Sequence, residues 1–149
     1  MSTARSMEVE VSTDKSRLDR QLIHGFLSAS YWAAGIPREL VDRSIENSLC
    51  FGAFIGDRQI AFARVITDCA TFAYLADVFV VEAERGRGVS KRLVRAILDH
   101  PELQGLRRFM LATLDAQGLY ETFGFRVLKQ PERFMEIHKS NAYGQPTGN

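Results

Sequence analysis

Residues 77–98, DVFVVEAERGRGVSKRLVRAIL, decide the fold of this chain. An apolar run at 78–81 predicts a strand, and the apolar spacing over 89–98 predicts one face of a helix. Gly86 and Gly88 lie in the charged turn between them. The first N–H groups of a helix lack internal acceptors and carry partial positive charge, and glycine lacks the Cβ that would keep a phosphate away. The stretch therefore predicts a strand, a glycine turn and an anion-binding helix N-terminus.

The glycine spacing excludes two common phosphate loops. A dinucleotide fingerprint needs a third glycine at position 91, where this chain has Lys91. A P-loop needs G-x-x-x-x-G-K-[ST], and the chain has no such run.

Residues 85–90, RGRGVS, fit the pattern R-x-x-G-x-[GA] directly after a strand. They resemble the acetyl-CoA pyrophosphate loop of the GCN5-related N-acetyltransferases (GNAT). The chain departs from that pattern at Ser90, where the family usually has glycine or alanine. The alternative interpretation is a tight strand–helix turn with a solvated basic face.

A second motif lies about thirty residues further on. Residues 116–125, AQGLYETFGF, match the family element A-x-x-L-Y-E-x-x-G-F. The resemblance covers roughly residues 49–138. It implies an α/β fold: a single-domain, GNAT-like mixed sheet with splayed central strands and about four flanking helices. It also implies that the pantetheine arm of acetyl-CoA lies in the splay.

The order of elements supports such a sheet. Strands are predicted at 7–13, 49–55, 59–67, 71–81, 107–113, 125–128 and 134–138, and helices at 18–27, 38–47, 89–98 and 116–123. We expect one domain over residues 1–139 and a disordered tail over 140–149.

Composition restricts the functional class. Hydrophobic residues make up 46% of the 149 residues and the net charge is +1, so we expect a globular protein that binds no nucleic acid. No apolar run is long enough to cross a membrane, and the first ten residues lack a signal core. Cys50 and Cys69 are predicted to be buried reduced thiols in a cytoplasmic protein, without a metal.

The resemblance implies cofactor contacts from the central strand, the loop and the following motif. These residues are Phe79, Val80, Val81, Arg85, Gly86, Arg87, Gly88, Val89, Ser90, Thr113 and Tyr120. It also implies a β-bulge near Phe79 or Val80 whose backbone N–H would bind the thioester oxygen. Thr113 is expected to begin the next helix and to contact the CoA arm.

Two residues are candidates for proton transfer. Tyr120 occupies the family's tyrosine position and would protonate the leaving thiolate, the alternative being a packed aromatic side chain. Asp77 is a carboxylate within an apolar strand and would bind the substrate ammonium or accept its proton. Its alternative is a buried structural carboxylate paired with Arg64. Tyr31 and Trp32 are expected to line the acceptor pocket.

The function implied is an enzyme, an acetyl-CoA-dependent N-acetyltransferase that acts on a primary amine by direct attack in a ternary complex. A non-catalytic acyl-CoA-binding or regulatory module on the same fold is the alternative. The identity of the amine and the choice between a monomer and a homodimer stay open.

Overall fold

The computed structural model describes residues 8–144. Its strands are β1 (Glu10–Ser12), β2 (Leu49–Ile55), β3 (Arg58–Thr67), β4 (Phe72–Val80) and β5 (Arg108–Leu111). Its helices are α1 (Arg20–Ser28), α2 (Arg38–Glu46), α3 (Val89–Asp99) and α4 (Gln117–Glu121). The predicted α/β fold with four flanking helices is confirmed.

The strands form one open sheet in the order β1-β2-β3-β4-β5. The first four are antiparallel neighbours, and β5 runs parallel to β4. The β2–β3 hairpin turns at Gly56, whose φ of +61° is a conformation that glycine adopts without a steric cost. The parallel step from β4 to β5 needs a crossover, and α3 provides it.

Helices cover both faces of the sheet. Helix α3 packs its buried face, which includes Leu93 and Ile97, on a cluster that also holds Leu75 of β4. On the opposite face, α1 and α2 pack Ile23 and Ile45 on a second cluster. The sheet is therefore the middle layer between two apolar cores.

The pairing of β4 with β5 is short. It joins only Phe72–Leu75 of β4 to Arg108–Leu111 of β5. Beyond Leu75, the remaining residues of β4 have no partner on the β5 side in the part of the chain described. The two strands thus separate towards the glycine turn, which confirms the predicted splay.

The two strands predicted at 125–128 and 134–138 are wrong for this structure. Neither segment is in a hydrogen-bonded ladder within residues 8–144. A strand-like sequence forms a strand only where a neighbour accepts its backbone hydrogen bonds. Met135 and Ile137 remain 96% and 97% exposed.

The start of helix α1 and the C-terminal tail differ from the sequence prediction in smaller ways. Helix α1 begins at Arg20, because the Asp19 carboxylate accepts the N–H of Leu22 at 3.0 Å and so caps the helix two residues later than expected. Of the tail expected to be disordered, residues 140–144 are described as a turn and Tyr143 packs against the α1–α2 cluster. Residues 145–149 lie outside the described part.

Candidate active site

The glycine turn has the backbone conformation that the sequence suggested. Gly86 and Gly88 have φ of +80° and +78°, and Gly88 is the N-cap residue of α3. The first helical hydrogen bond runs from the Arg92 N–H to the Gly88 carbonyl at 3.1 Å, so the N–H groups of 89–91 have no helical acceptor. A Cβ on either glycine would enter open space. The turn therefore presents free backbone donors at an unobstructed surface, as anion binding requires.

The arginines of the turn are tied to neighbouring groups. The Arg85 Nε donates to the Val80 carbonyl at 3.0 Å, and Arg87 pairs with Glu84 at 2.9 Å. Glu84 is only 6% exposed and also pairs with Arg58 at 3.2 Å. These contacts order the turn and partly neutralise Arg87, so the backbone N–H groups are the main candidate ligands for a pyrophosphate.

One cavity joins the other predicted residues. It has a volume of about 970 Å³ and lies between the α1–α2 loop, α2, β4 and the β5–α4 connection. It brings together Tyr31, Trp32, Asp77, Thr113 and Tyr120. By contrast, Phe79, Val80 and Val81 do not line it, and the Phe79 side chain is buried in the α1–α2 cluster. Any contact of Phe79 with a cofactor would therefore come from its backbone.

A β-bulge distorts β4 next to the cavity. Asp77 and Val78 lie opposite the single residue Ala63 of β3, between the pairs Arg64–Ala76 and Phe62–Phe79. Asp77 has φ of +57°, a conformation that costs a non-glycine residue energy. The bulge was expected near Phe79 or Val80, and it lies directly before Phe79.

The bulge also changes the face of the sheet on which the odd-numbered side chains of β4 lie. Before it, Ala73 and Leu75 belong to the α3 core; after it, Phe79 belongs to the α1–α2 core. All three have odd numbers, so strict alternation would place them together. The extra residue reverses the alternation and releases backbone groups from the ladder at the splay.

Both oxygens of Asp77 are engaged. Its Oδ2 accepts from Arg64 Nε at 2.8 Å, and its Oδ1 accepts from Trp32 Nε1 at 2.9 Å. Arg64 extends the network by donating to Ser48 Oγ at 3.1 Å. The Asp77 and Arg64 side chains are 10% and 17% exposed. Thus Asp77 has the structural partner named by its alternative interpretation, and it also lines the cavity.

Tyr120 lines the cavity from α4. It is 7% exposed, and its ring packs edge-on against Phe125 at 5.9 Å. Burial raises the pKa of its phenol, so the hydroxyl stays protonated at neutral pH. Among residues 8–144, no protein group accepts that proton, which leaves it available to a group in the cavity.

The remaining predicted contacts differ in kind. Thr113 Oγ1 accepts the N–H of Ala116 at 3.0 Å and so supports the entry to α4, whose N-cap residue is Ala116. Tyr31 is 70% exposed at the cavity rim, in edge contact with Trp32 at 5.1 Å.

The prediction of two buried thiols is wrong for Cys69, which is exposed, and right for Cys50.

Sequence reasoning missed part of the cavity wall. Arg43 of α2, Tyr74 of β4 and Tyr143 of the C-terminal turn also line it. Arg43 and Tyr74 sit in ordinary amphipathic patterns, and Tyr143 lies in a segment with the composition of a tail. Nothing local distinguishes them, since their place in the cavity depends on how distant elements pack.

The described residues show neither a metal-binding cluster nor a membrane-spanning helix. In residues 8–144 there is no cluster of three or more His, Cys, Asp or Glu side chains suited to a metal ion. None of the helices described is both long and apolar enough to cross a membrane.

Comparison with known proteins agrees with this geometry. Residues 18–125 match the model of the acetyltransferase (GNAT) family. A curated protein of Gibberella zeae, named "putative acetyltransferase", is 30% identical, with 74% of each chain covered.

Solved structures give the same picture. A GNAT-family acetyltransferase structure from Xanthomonas campestris pv. campestris is 55% identical and superposes with a TM-score of 0.90, covering 93% of this chain and 98% of that one. A "predicted acetyltransferase" from Clostridium acetobutylicum, solved with acetyl-CoA, shares the fold at 14% identity and a TM-score of 0.63, over 88% of this chain and 95% of that one. The chain belongs to the acetyltransferase (GNAT) family and is an acetyltransferase.

Proposed function

We propose that the protein transfers an acetyl group from acetyl-CoA to a primary amine by direct attack in a ternary complex. One observation carries this proposal: the part of β4 that β5 leaves unpaired leads into the glycine turn with its free N–H groups, and Tyr120 lines the same cavity as residues 76–78 of that strand. A long thioester cosubstrate fits that layout, with its pyrophosphate on the turn and its acyl end in the cavity. The family's use of acetyl-CoA supports the same choice.

The chemistry assigned to the residues follows from their contacts. The amine nitrogen attacks the thioester carbonyl, a C–N bond forms, and the C–S bond breaks. A backbone N–H released by the bulge at Asp77–Val78 would donate to the carbonyl oxygen as negative charge develops there. The protonated Tyr120 hydroxyl would give its proton to the departing sulfur.

Asp77 is proposed to act on the acceptor side. Trp32 and Arg64 each take one acceptor site on its oxygens, and each oxygen has a second site that can hold a water. Such a water could take the ammonium proton and pass it to solvent. We therefore propose that Asp77 orients Trp32 at the acceptor pocket and accepts the amine's proton through water.

A specific observation favours a second candidate, a non-catalytic acyl-CoA-binding module. Asp77 already has the partners of a structural carboxylate, Arg64 at 2.8 Å and Trp32 at 2.9 Å, so a protein with this turn could bind the cosubstrate and lack an effective base. Such a module would bind acetyl-CoA and release no CoA when amines are added.

Thiol release with a panel of amines separates the two. The purified protein is incubated with acetyl-CoA and, in turn, polyamines, amino acids, aminosugars and peptides with a free N-terminus, and free CoA is followed over time. The exposed Cys69 thiol would itself react with the reagent that detects free CoA. The assay therefore uses the Cys69→Ser variant to lower the background signal. Amine-dependent CoA release supports the enzyme, whereas binding of acetyl-CoA with no release across the panel supports the module.

The location of the protein is a further part of the proposal. Both cysteines, Cys50 and Cys69, are free thiols. Free thiols and a CoA thioester both suit a reducing compartment, so we propose a cytoplasmic protein.

A further inference from the structure

The C-terminal segment leaves apolar side chains in solvent. Residues 131–140 are exposed without exception, and they include Met135 at 96% and Ile137 at 97%. We call this segment the arm. Side chains exposed to this degree make almost no contact with their own chain. Several apolar residues exposed together on one segment mark a surface that binds something.

The same chain has an unfilled groove at the edge of its sheet. The groove has a volume of about 310 Å³ and is lined by residues 109–113, by residues 125–128 and by Gln117, Tyr120 and Glu121 of α4. Strand β5 pairs only with β4 in residues 8–144, so its other edge faces this groove with unused backbone donors and acceptors. A free strand edge is a template for an added strand.

The chain's own arm is held away from that groove. Phe134 lies under the Arg108 guanidinium at 4.9 Å, at the beginning of β5, and Tyr143 is packed on the α1–α2 core across the sheet. Between these two anchors, Met135 and Ile137 stay in solvent. The arm therefore runs from one anchor to the other without entering the groove of its own chain.

We propose that residues 134–138 of a second copy of this chain lie in the groove as a strand beside β5, and that the exchange is reciprocal. Each copy carries a free edge at β5 and an unpaired arm, so two copies satisfy both and close with two-fold symmetry. Met135 and Ile137 would pack on the apolar lining that Phe109 and Phe125 provide. Glu136, between them in the strand alternation, would face solvent.

The contact draws on both elements of each copy. Residues 134–138 and the twelve groove residues amount to 17 residues per side, slightly fewer than the about 20–30 of a standard interface. The groove also shares Thr113 and Tyr120 with the large cavity. The partner's arm would thus complete the wall behind Tyr120, and each cavity would be incomplete without the other copy.

The first test is the mass in solution, measured by light scattering on a size-exclusion column. We expect a dimer of 16.8 kDa chains at micromolar concentration for the wild type. The Met135→Lys/Ile137→Lys variant should be a folded monomer, since both side chains are solvent-exposed within one chain. Glu136→Lys is the matched control: it adds the same charge to the same strand on the opposite face, and it should remain dimeric.

A mixing experiment separates arm-in-groove exchange from any other dimer. Met110 lines the groove and not the large cavity, so Met110→Lys should also give a monomer. When the arm variant and the groove variant are mixed, one intact arm meets one intact groove. We expect a heterodimer that dissociates at higher concentration than the wild-type dimer.

Three results would overturn the proposal: a wild-type monomer, a dimer unaffected by the arm variant, or no association on mixing. Amide hydrogen exchange on the wild type needs no variant and gives an independent check. Protection of residues 134–138 at concentrations where the dimer forms supports the exchange, and unprotected amides there contradict it.

Discussion

At the scale of single residues, Asp77 has contacts of two kinds. One carboxylate oxygen is part of a nearly buried ion pair with Arg64, and the other accepts the indole N–H of Trp32 at the large cavity. Its φ of +57° shows that the backbone is held in a costly conformation at this point. Strain of that kind persists where surrounding contacts enforce it, as the Arg64 and Trp32 contacts do here.

The substitution Asp77→Asn should affect stability and turnover together. It preserves size and the acceptor for Trp32, but it leaves Arg64 nearly buried without a counter-ion. Breaking one side of a buried pair typically costs ~3–5 kcal/mol. We therefore expect a clear fall in melting temperature and, per folded molecule, slower turnover with a cationic amine. Thermal unfolding and thiol release on the same variant measure both.

Asp42→Asn is the control for Asp77. Asp42 also pairs with arginines, Arg20 and Arg38, but it lies at the surface, where ion pairs contribute little. Its variant should keep its melting temperature nearly unchanged. If Asp77→Asn lowered the melting temperature while turnover per folded molecule stayed at the wild-type value, Asp77 would be a structural residue alone.

Replacing Tyr120 by phenylalanine tests the proposed acid. Removal of the hydroxyl should lower turnover by ~10²-fold, with little change in acetyl-CoA affinity, because the phenol acts only as the sulfur leaves. Tyr74→Phe is the matched control, since Tyr74 lines the same cavity on β4. Equal activity of Tyr120→Phe and wild type across pH would assign Tyr120 to packing.

At the scale of elements, a substitution in the glycine turn has two expected effects, backbone strain and loss of ligand binding, and a control variant separates them. Gly88→Ala should lower intrinsic stability by about 1 kcal/mol because its φ is +78°. It should also abolish the rise in melting temperature caused by acetyl-CoA, since the new Cβ enters the ligand's space.

Gly56→Ala controls for that backbone cost. Gly56 has φ of +61° in the β2–β3 turn, and a Cβ there also meets nothing within 4 Å. Both variants should lose similar stability without ligand, but only Gly88→Ala should lose the acetyl-CoA shift, as measured by thermal unfolding with and without ligand. An unchanged shift in Gly88→Ala would remove the turn from the cosubstrate site.

The sequence predicts an element well where its signals are local. The bounds of β2 agree with prediction at both ends, and α3 begins directly after the glycine turn. The bulge in β4 is different, since no local pattern marks the extra residue and only the change of core between Leu75 and Phe79 shows it. The strands at 125–128 and 134–138 failed for a related reason: local sequence predicts an extended segment, but a strand also needs a neighbouring strand, which local sequence does not specify.

The residues of the candidate site also differ in how well local sequence locates them. Gly86, Gly88 and Tyr120 lie in contiguous motifs and could be located by spacing. Arg64 was predictable as a partner of Asp77, because adjacent antiparallel strands place facing residues together. The lining by Arg43 and Tyr143 comes from packing between distant segments, which spacing does not encode.

At the scale of the whole molecule, one sheet lies between two apolar cores. Cys50 of β2 is in the α1–α2 core, 1% exposed, and its thiol donates to the Ile45 carbonyl at 3.6 Å. Burial raises the pKa of the Cys50 thiol to about 11 from an ordinary value of 9.0. The folded state therefore keeps a proton on Cys50 at a pH where the unfolded chain has released it.

That difference predicts alkaline destabilisation. Since the unfolded state binds fewer protons above pH 9, the free energy of unfolding should fall as pH rises from 9 to about 11. Two pKa units correspond to a loss of about 2–3 kcal/mol. Urea unfolding across this range should show the fall in wild type and in Cys69→Ala, whose thiol is exposed. Cys50→Ala should start less stable, because it loses packing, yet decline less steeply with pH. An equal slope in Cys50→Ala and wild type would show that other groups, such as the buried Tyr120 phenol, cause the alkaline loss.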